Sequence, residues 1–466
     1  MSHTLDGLQF PVQANNKAST SKTGQAILAE ALSTVNHRAS QQVLSEKNWR
    51  KHYPVHFKAL VEQGLVSSEN AIAIARNGLA KAQQSFDFYR NGQRHSLKDM
   101  MALPLETLHT VKLQGESEAA PEWYVPYKGK NLQGQALLDQ IDLWQDTGII
   151  EASHAKALKT VLDHPEWFDL SDRTMVLFGA ASEAGPLTWL AKWKANIVAI
   201  DLPNPRVWEK ILKTVQQGNA TLYAPSQESI DSHASIATLK DKLGANLLSQ
   251  TPEIAQWLLK HEQPLDLAAI AYLDGEKHVR VSMAMDSIMQ HVSEQKPDTS
   301  LMYMCTPTDV YAVPAEVIEG SASKFKTRAQ PEKMLCKGIE TLSLKHFFKQ
   351  NLHDTITSAE GQKYGIADCL VVEQGPNYAL AKRIQQWRAT LARHQGQRVS
   401  INIAPSTTTQ SVIKNPLLKA AFNGASLFGV EAFSPETTNA IMAALWIHDL
   451  RNPESIANPE RDMQHP

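Results

Sequence analysis

Cysteine is scarce in this sequence, and its scarcity excludes two kinds of architecture. The 466 residues include only Cys305, Cys336 and Cys369, and no two of them stand in a CxxC arrangement. We therefore expect neither a disulfide framework nor a cysteine-based zinc site. No other cluster of residues has the spacing of metal ligands, so we predict that the protein binds no metal.

Excess charge and long apolar runs are also missing. The sequence has 46 basic and 48 acidic residues, a net charge of -2, which gives no argument for nucleic acid or an anionic membrane as a partner. No stretch reaches the ~18 apolar residues of a membrane span, and the polar first segment lacks the core of a signal peptide. We expect a cytoplasmic protein that acts on a small-molecule substrate.

The pattern of apolar residues changes along the chain and predicts separate domains. Residues 1–22 are polar and predict a disordered amino terminus, whereas residues 23–168 show helical periodicity, with strand-like pieces only near WYVPY. Residues 169–455 have a different pattern, and 456–466 form a tail. We predict an α-helical amino-terminal domain followed by one large domain.

Short apolar runs alternate with helical segments in the large domain. Such runs are typical of buried parallel strands covered by helices on both faces. We therefore predict an α/β fold with a doubly wound, parallel, Rossmann-type sheet. The runs are TMVLFGAA, NIVAID, LAAIAYLD, TSLMYM, RVSINIAP and ASLFGVEAF.

A loop with two glycines follows the first of these strands. Gly179 would allow a sharp turn, and Gly185 would let the backbone approach a pyrophosphate, with Ser182 between them. A helix starting near Pro186 would offer free N–H groups to the anion. Asp201 closes the second strand, where a carboxylate can bind ribose hydroxyls. This spacing predicts a nucleotide site.

The loop alone leaves other interpretations open. The middle glycine of the usual three is missing, and Glu183 near that place is unfavourable for a phosphate unless its carboxylate points away. A turn that binds no nucleotide would have the same pattern. A methyltransferase that binds S-adenosylmethionine would share the same first half.

A second signal stands near residue 380. Tyr378 and Lys382 lie four residues apart at a predicted helix start, so they share one face of the helix. An ammonium group beside a tyrosine favours the phenolate, as acid–base catalysis requires. The helix leads into the strand RVSINIAP and a run of hydroxyl residues, Thr407 to Thr409.

Together, YALAK, the following helix and RVSINIAPSTTT, with GAASEAG earlier, resemble the short-chain dehydrogenase/reductase family over roughly residues 172–450. The resemblance implies an NAD- or NADP-dependent oxidoreductase that interconverts a ketone or aldehyde and an alcohol. It implies that Tyr378 exchanges the substrate proton and that Lys382 holds the nicotinamide ribose. Pro405 and Thr408 would lie beside the nicotinamide.

The sequence departs from the family pattern in two places. The family's catalytic serine is expected about thirteen residues before the tyrosine, where Gly365 stands. We infer an insertion at about 310–372, with Thr306 or Thr308 providing the hydroxyl instead. The family's fourth-strand motif is replaced by LDGEKH, which would put Asp274 beside the cofactor.

Several further assignments remain open at this stage. His278 could be a second acid or base, Asp286 fits a structural carboxylate better than a catalytic one, and Cys305 fits a buried inert thiol better than a nucleophile. Asp201 favours NAD, whereas Arg206 could favour NADP. A methyltransferase and a non-catalytic nucleotide-binding protein are the alternative functions, and assembly into a homo-oligomer is a further expectation.

Overall fold

The fold is known from a computed structural model, which describes residues 6–12, 17–105, 108–231, 234–342, 351–414, 416–424 and 430–461. The chain divides into two compact units, each built from separate stretches of sequence. The larger unit takes its described residues from 1–19, 82–307 and 381–462, and the smaller unit from 20–81 and 308–380. The boundaries predicted from sequence at 168 and 455 stay a prediction.

The described chain contains fifteen strands. They are β1 (Gly7–Gln9), β2 (Asp87–Arg90), β3 (Gln93–Ser96), β4 (His109–Gln114), β5 (Val125–Tyr127), β6 (Lys130–Leu132), β7 (Thr174–Phe178), β8 (Asn196–Ile200), β9 (Thr221–Ser226), β10 (Leu265–Ala269), β11 (Ser300–Cys305), β12 (Val310–Pro314), β13 (Leu352–Thr357), β14 (Lys363–Asp368) and β15 (Val399–Ile403).

The same part of the chain contains eighteen α-helices. They are α1 (Thr20–Leu32), α2 (His37–Ser45), α3 (Trp49–Gly64), α4 (Ser68–Ser85), α5 (Leu97–Ala102), α6 (Gly134–Thr147), α7 (Ala152–Asp163), α8 (Leu187–Leu190), α9 (Pro205–Gln216), α10 (Ile236–Leu239), α11 (Thr251–Leu258), α12 (Glu276–Gln295), α13 (Ala315–Thr327), α14 (Gln330–Leu342), α15 (Pro376–His394), α16 (Gln410–Lys414), α17 (Pro416–Gly424) and α18 (Pro435–Arg451). Two short 3-10 helices add Pro165–Phe168 and Val372–Gln374.

A seven-stranded sheet forms the centre of the larger unit, in the order β15-β11-β10-β7-β8-β9-β4. All neighbouring strands are parallel except β4, which pairs antiparallel with β9. The predicted α/β class with a mostly parallel sheet is therefore confirmed.

The central strands form because their sequences are mostly apolar, and the one charged residue among them, Asp266, is paired with Arg173. Every residue of β7 and of β10 is buried, as expected for strands covered on both faces. Five tryptophans of the larger unit are also among its largest fully buried side chains, namely Trp144, Trp193, Trp208, Trp257 and Trp446. The sheet is thus anchored in a continuous apolar core.

The predicted strand ASLFGVEAF is wrong where it can be checked. Residues 425–429 lie outside the described residues, and 430–433 form no strand, although Phe433 makes an isolated bridge to Thr407. Two strands of the main sheet, β4 and β9, were missed. β4 reads HTVKLQ, and its polar residues are accommodated because an edge strand leaves them exposed.

The region from 23 to 168 contains more strands than the sequence predicts. Only β5 lies in the expected WYVPY stretch, whereas β2, β3, β4 and β6 lie outside it. The structure also gives order to part of the segment expected to be disordered. Within 1–22, strand β1 pairs with β2 because Leu8 inserts into the core, with no exposed surface, and α1 begins at Thr20.

The smaller unit combines α1 to α3 and the part of α4 up to Lys81 with a three-stranded antiparallel sheet in the order β12-β14-β13. Its apolar cluster includes Val61 and Leu65 from α3, packed with Val310 from β12 and Ile366 from β14. Helix α15 begins in this unit and continues, from residue 381, in the larger one. None of the helices in the described residues is long and apolar enough to cross a membrane.

Candidate functional site

The candidate site lies at the carboxyl edge of the main sheet, around the end of β7. The chain passes from β7 to its neighbour β8, continues outward to β9, and then returns to the other side of β7 as β10. The two loops that leave β7 and β10 therefore diverge. In open α/β sheets, ligands bind in the crevice that such a change of direction creates.

Gly179 makes the first turn after β7. Its φ is +86°, and its N–H donates to the carbonyl of Ile200 at 2.8 Å. A Cβ at Gly179 would lie 2.6 Å from the Cα of Ala271. A glycine is needed at this position for two reasons. The turn is left-handed, and the backbone of Ala271 leaves no room for a Cβ.

Gly185 closes the loop. Its N–H donates to the carbonyl of Ser182, and the N–H of Ser182 donates to the carbonyl of Gly179, both at 3.0 Å. A Cβ at Gly185 would lie 2.9 Å from Cδ1 of Ile270. Gly185 thus lies against the end of the Ile270 side chain in the loop after β10, and its predicted approach to a pyrophosphate stays a prediction.

The helix predicted at Pro186 begins there but ends early. Helix α8 is a single turn, Leu187–Leu190. At its start, the backbone N–H groups of Glu183, Ala184, Leu187 and Thr188 make no hydrogen bond to another described residue. These four donors could receive an anion, whereas one turn of helix contributes little dipole.

Asp201 follows β8 as predicted, and its carboxylate is already engaged. Oδ2 accepts from the N–H of Ala181 at 2.9 Å, and Oδ1 accepts from the N–H of Leu202 at 2.8 Å. Burial raises the pKa of Asp201, opposed by these two bonds and by the charge of Lys210. Because each carboxylate oxygen has two acceptor positions, Asp201 can still accept from a ribose hydroxyl.

Glu183 is held away from the interior of the loop by the chain that follows β15. Its Oε2 accepts from the N–H of Gln410 at 3.1 Å, at the start of α16. Its carbonyl accepts from Nδ2 of Asn439 at 2.9 Å. The side chain is exposed and directed to a helix start, so it is compatible with an anion at the loop.

The loop after β10 carries an aromatic and an acidic side chain. The hydroxyl of Tyr272 donates to Oδ1 of Asp274 at 3.0 Å, and its ring centroid lies 4.7 Å from that of His278. His278 is 1% exposed, and burial together with the charge of Lys382 holds its pKa well below the usual value. Asp274 is exposed at the edge where it was predicted.

Lys382 lies at the end of the neighbouring strand, β11. Its Nζ donates to the carbonyl of Met304 at 3.2 Å and to Oε1 of Gln385 at 3.4 Å. Thr306, the candidate for the missing serine, follows this strand directly and is half-buried. Cys305, the last residue of β11, is buried, in keeping with an inert thiol.

In the segment after β15, the hydroxyl groups donate hydrogen bonds to backbone carbonyls of the protein itself. Pro405 is half-buried, and its carbonyl accepts from the hydroxyl of Thr407 at 2.8 Å. The hydroxyl of Thr408 donates to the carbonyl of Phe433 at 3.1 Å. These bonds fix the segment at the edge of the sheet, and the hydroxyl oxygens keep acceptor positions for a ligand.

Tyr378 and Thr308 belong to the smaller unit, whereas Lys382 and Thr306 belong to the larger one. Tyr378 is half-buried in the first turn of α15. The Oγ1 of Thr308 accepts from Nε2 of Gln374. The larger unit thus brings together the loop after β7, Asp201, Asp274 and Lys382 along one edge. The other two candidates, Tyr378 and Thr308, lie in the smaller unit.

Two residues at this edge were missed from sequence. Lys210 donates to the carbonyl of Ala181 at 3.4 Å, and Tyr272 stands two residues before the predicted Asp274. An aromatic residue directly after a buried strand is a signal that could have been used for Tyr272. Lys210 lies inside a helix, and its approach to the loop depends on the fold.

Among the described residues, no group of three or more His, Cys, Asp or Glu side chains is arranged to hold a metal ion. No family model, curated protein or solved structure matches this chain.

Proposed function

We propose that the protein is an NAD(P)-dependent oxidoreductase that interconverts a ketone or aldehyde and an alcohol, built on a Rossmann-type sheet. The strand order carries the proposal. In order of appearance along the chain, the parallel strands β9-β8-β7-β10-β11-β15 are arranged 3-2-1-4-5-6. This is the order of sheets that bind a dinucleotide across the point where the strand order reverses.

The residues at this point are compatible with such a cofactor. The N–H groups of Glu183, Ala184, Leu187 and Thr188, which bond to no other residue that the structure describes, would receive the pyrophosphate, and Asp201 would accept from the adenosine ribose. Ser182 precedes these groups along the chain, and Asp274, in the loop after β10, would lie beside the cofactor. Gly179 and Gly185 would contribute by shaping the loop, because the space beside each is filled by the chain after β10.

When bound, NAD(P)H supplies a hydride at its nicotinamide ring. Tyr378 would donate the proton to the substrate oxygen, and Thr306 would hold the substrate carbonyl by a hydrogen bond. Lys382 would hold the ribose and bring its positive charge to the acid–base step. Pro405 and Thr408 would line the nicotinamide side.

A non-catalytic nucleotide-binding protein is the second candidate, favoured by a separate observation. Side chains proposed to hold the cofactor also hold the fold, since Lys382 donates to the carbonyl of Met304 and Thr408 to that of Phe433. In this alternative the loop after β7 would bind the nucleotide and Tyr378 would have no reaction to serve.

Ligand-induced stabilisation tests the proposal. The melting temperature of the full chain would be measured with NADH, NADPH and S-adenosylmethionine. A ligand present at 100 times its Kd stabilises the folded state by about 2.7 kcal/mol. We expect a dinucleotide to raise the melting temperature and S-adenosylmethionine to leave it unchanged. Stabilisation by S-adenosylmethionine alone would favour a methyltransferase, and no response to either dinucleotide would refute the proposal.

The substrate class, cytoplasmic location and homo-oligomeric state belong to the same proposal. A panel of ketones, aldehydes and alcohols, assayed by nicotinamide absorbance, would separate the oxidoreductase from the non-catalytic alternative. Turnover of any panel member supports the enzyme. Tight dinucleotide binding without turnover of any of them favours the second candidate.

A further inference from the structure

Tyr272 is unusual among the aromatic residues of this protein. Of the tyrosine, tryptophan and phenylalanine side chains that the structure describes, it is the only exposed one, with 47% of its surface accessible. The strand before it, β10, is completely buried. An aromatic ring that is about half exposed at the edge of a buried sheet can contact a ligand with its exposed part.

The ring of Tyr272 is also held in place. Its hydroxyl donates to Oδ1 of Asp274 at 3.0 Å, and its ring centroid lies 4.7 Å from that of His278, with the two ring planes tilted by 56°. His278 is buried in the first turn of α12. Because the hydroxyl is bonded and the ring packs on a buried side chain, less conformational entropy would be lost when a ligand contacts it.

The position of Tyr272 selects the part of the ligand that it would contact. The preceding residue, Ala271, lies against Gly179 in the loop after β7. His278, which contacts the ring of Tyr272, is close enough to Lys382 for the charge of that lysine to lower its pKa. Asp201, the proposed adenosine contact, follows β8 on the opposite side of β7. Tyr272 therefore stands on the half of the sheet that would receive the nicotinamide nucleotide.

We propose that Tyr272 is a cofactor-binding residue whose ring stacks on the nicotinamide of the dinucleotide. The inference rests on the proposed function. The oxidised nicotinamide is a flat, positively charged ring, and both its stacking and its charge favour the electron-rich face of a tyrosine. A ring covered on one face can exchange hydride with the substrate only at the other face.

Calorimetric titration of the full chain tests this contact without requiring a substrate. The ligands are NAD+ or NADP+, whichever the wild type binds more tightly, and the matching ADP-ribose or its 2′-phosphate, which lacks the nicotinamide. We expect Tyr272→Leu to weaken dinucleotide binding by roughly 5- to 150-fold, the range for one lost stacking contact. Binding of the ADP-ribose compound should change by less than about twofold, because the adenosine contacts remain.

Tyr272→Phe is the matched control. It keeps the ring and loses only the bond to Asp274, so dinucleotide affinity should stay within about threefold of wild type. Equal weakening of both ligands by Tyr272→Leu, or no weakening of either, overturns the inference while leaving the proposed function intact. If the wild type binds ADP-ribose and the dinucleotide equally well, the nicotinamide has no contact to lose and the inference also fails. If the wild type binds neither ligand, the proposed function itself fails.

Discussion

Asp201, the residue after β8, accepts a hydrogen bond at 2.9 Å from the backbone N–H of Ala181, in the loop after β7. Its other oxygen accepts from the N–H of Leu202 at 2.8 Å. One carboxylate therefore joins the loops of two neighbouring strands at the edge where the proposed cofactor would bind. Its charge state should influence the stability of the loop as well as ligand affinity.

The titration of Asp201 predicts how stability depends on pH. Burial raises its pKa in the folded protein, so the folded state holds this proton more tightly than the unfolded chain does. The resulting stabilisation is present below the unfolded pKa of about 3.9 and is lost as the pH rises through the raised folded value. Asp201→Asn has no such titration. The free energy of unfolding of the wild type minus that of this variant should therefore become smaller, or more negative, as the pH rises above about 4.

Urea unfolding at a series of pH values measures that difference. The other titrating groups are common to both proteins, so their contributions cancel in the comparison. A difference that stays constant or grows as the pH rises would contradict the assigned direction.

Cofactor choice should depend on Asp201 and on the basic residues near it. Asp201 can accept from a free 2′-hydroxyl and repels a 2′-phosphate, so we expect NADH to bind more tightly than NADPH. Arg206 is exposed near the start of α9, and Lys210 lies beside Ala181. Both could pair with a 2′-phosphate, so Arg206→Ala and Lys210→Ala should each increase the preference for NADH.

Dissociation constants for the two reduced cofactors decide between these effects. If wild type binds NADPH tenfold more tightly, a difference of about 1.4 kcal/mol, then the basic residues outweigh Asp201. Unchanged preference in both alanine variants would exclude Arg206 and Lys210 from phosphate recognition.

Catalysis should distinguish Tyr378 from Lys382. Tyr378→Phe removes one hydroxyl and should leave cofactor affinity nearly unchanged, while turnover falls by about 10²- to 10⁴-fold, the usual contribution of general acid catalysis. Lys382→Ala should weaken cofactor binding as well as turnover, because it loses a ribose contact. It should also lower the melting temperature, because the bond to the carbonyl of Met304 is lost.

Steady-state kinetics with a substrate from the panel, together with cofactor titrations, measure both variants. Full activity in Tyr378→Phe would show that this tyrosine is not the acid. Thr306, Thr308 and His278 would then be the candidates for the acid.

Asp286 should affect stability without affecting cofactor binding. It accepts from Nε and Nη2 of Arg388 at 2.6 and 3.1 Å, and from Nε2 of Gln83 at 3.1 Å, in a buried position. Arg388→Met leaves this carboxylate buried and unpaired, which should lower the free energy of unfolding by about 3–5 kcal/mol. Replacing both, as Asp286→Leu with Arg388→Met, should recover part of that loss.

Urea unfolding measures these losses, and dinucleotide titration of the folded variants provides the comparison. Unchanged affinity supports a purely structural carboxylate. A selective loss of cofactor affinity in a stable variant would assign Asp286 to the site instead.

Sequence alone could predict the strands that are buried on both faces. The sequences of β7, β8, β10 and β11 are mostly apolar, because nearly all of their residues are buried in the centre of the sheet. The start of α18 could also be predicted, since Ser434 caps the helix and Pro435 occupies its first position. The glycine at 179 and the carboxylate at 201 were found because their spacing along the chain is fixed.

The contacts between distant segments could not be predicted. The atom nearest to a Cβ at Gly185 belongs to Ile270, which stands far away in sequence. Glu183 depends on Gln410 for its orientation. Strand β4 joins the main sheet although its polar residues match no pattern of a central strand.

The discontinuous make-up of the smaller unit has a consequence during synthesis. Val61 and Leu65 of α3 pack with Val310 and Ile366, which emerge from the ribosome well over 200 residues later. At a rate of synthesis of about 5–20 residues per second, the partners of these apolar side chains are made on the order of 10–60 s after them. During that interval α3 offers an apolar surface to chaperones, so the yield of folded protein should depend on how quickly translation proceeds beyond residue 81.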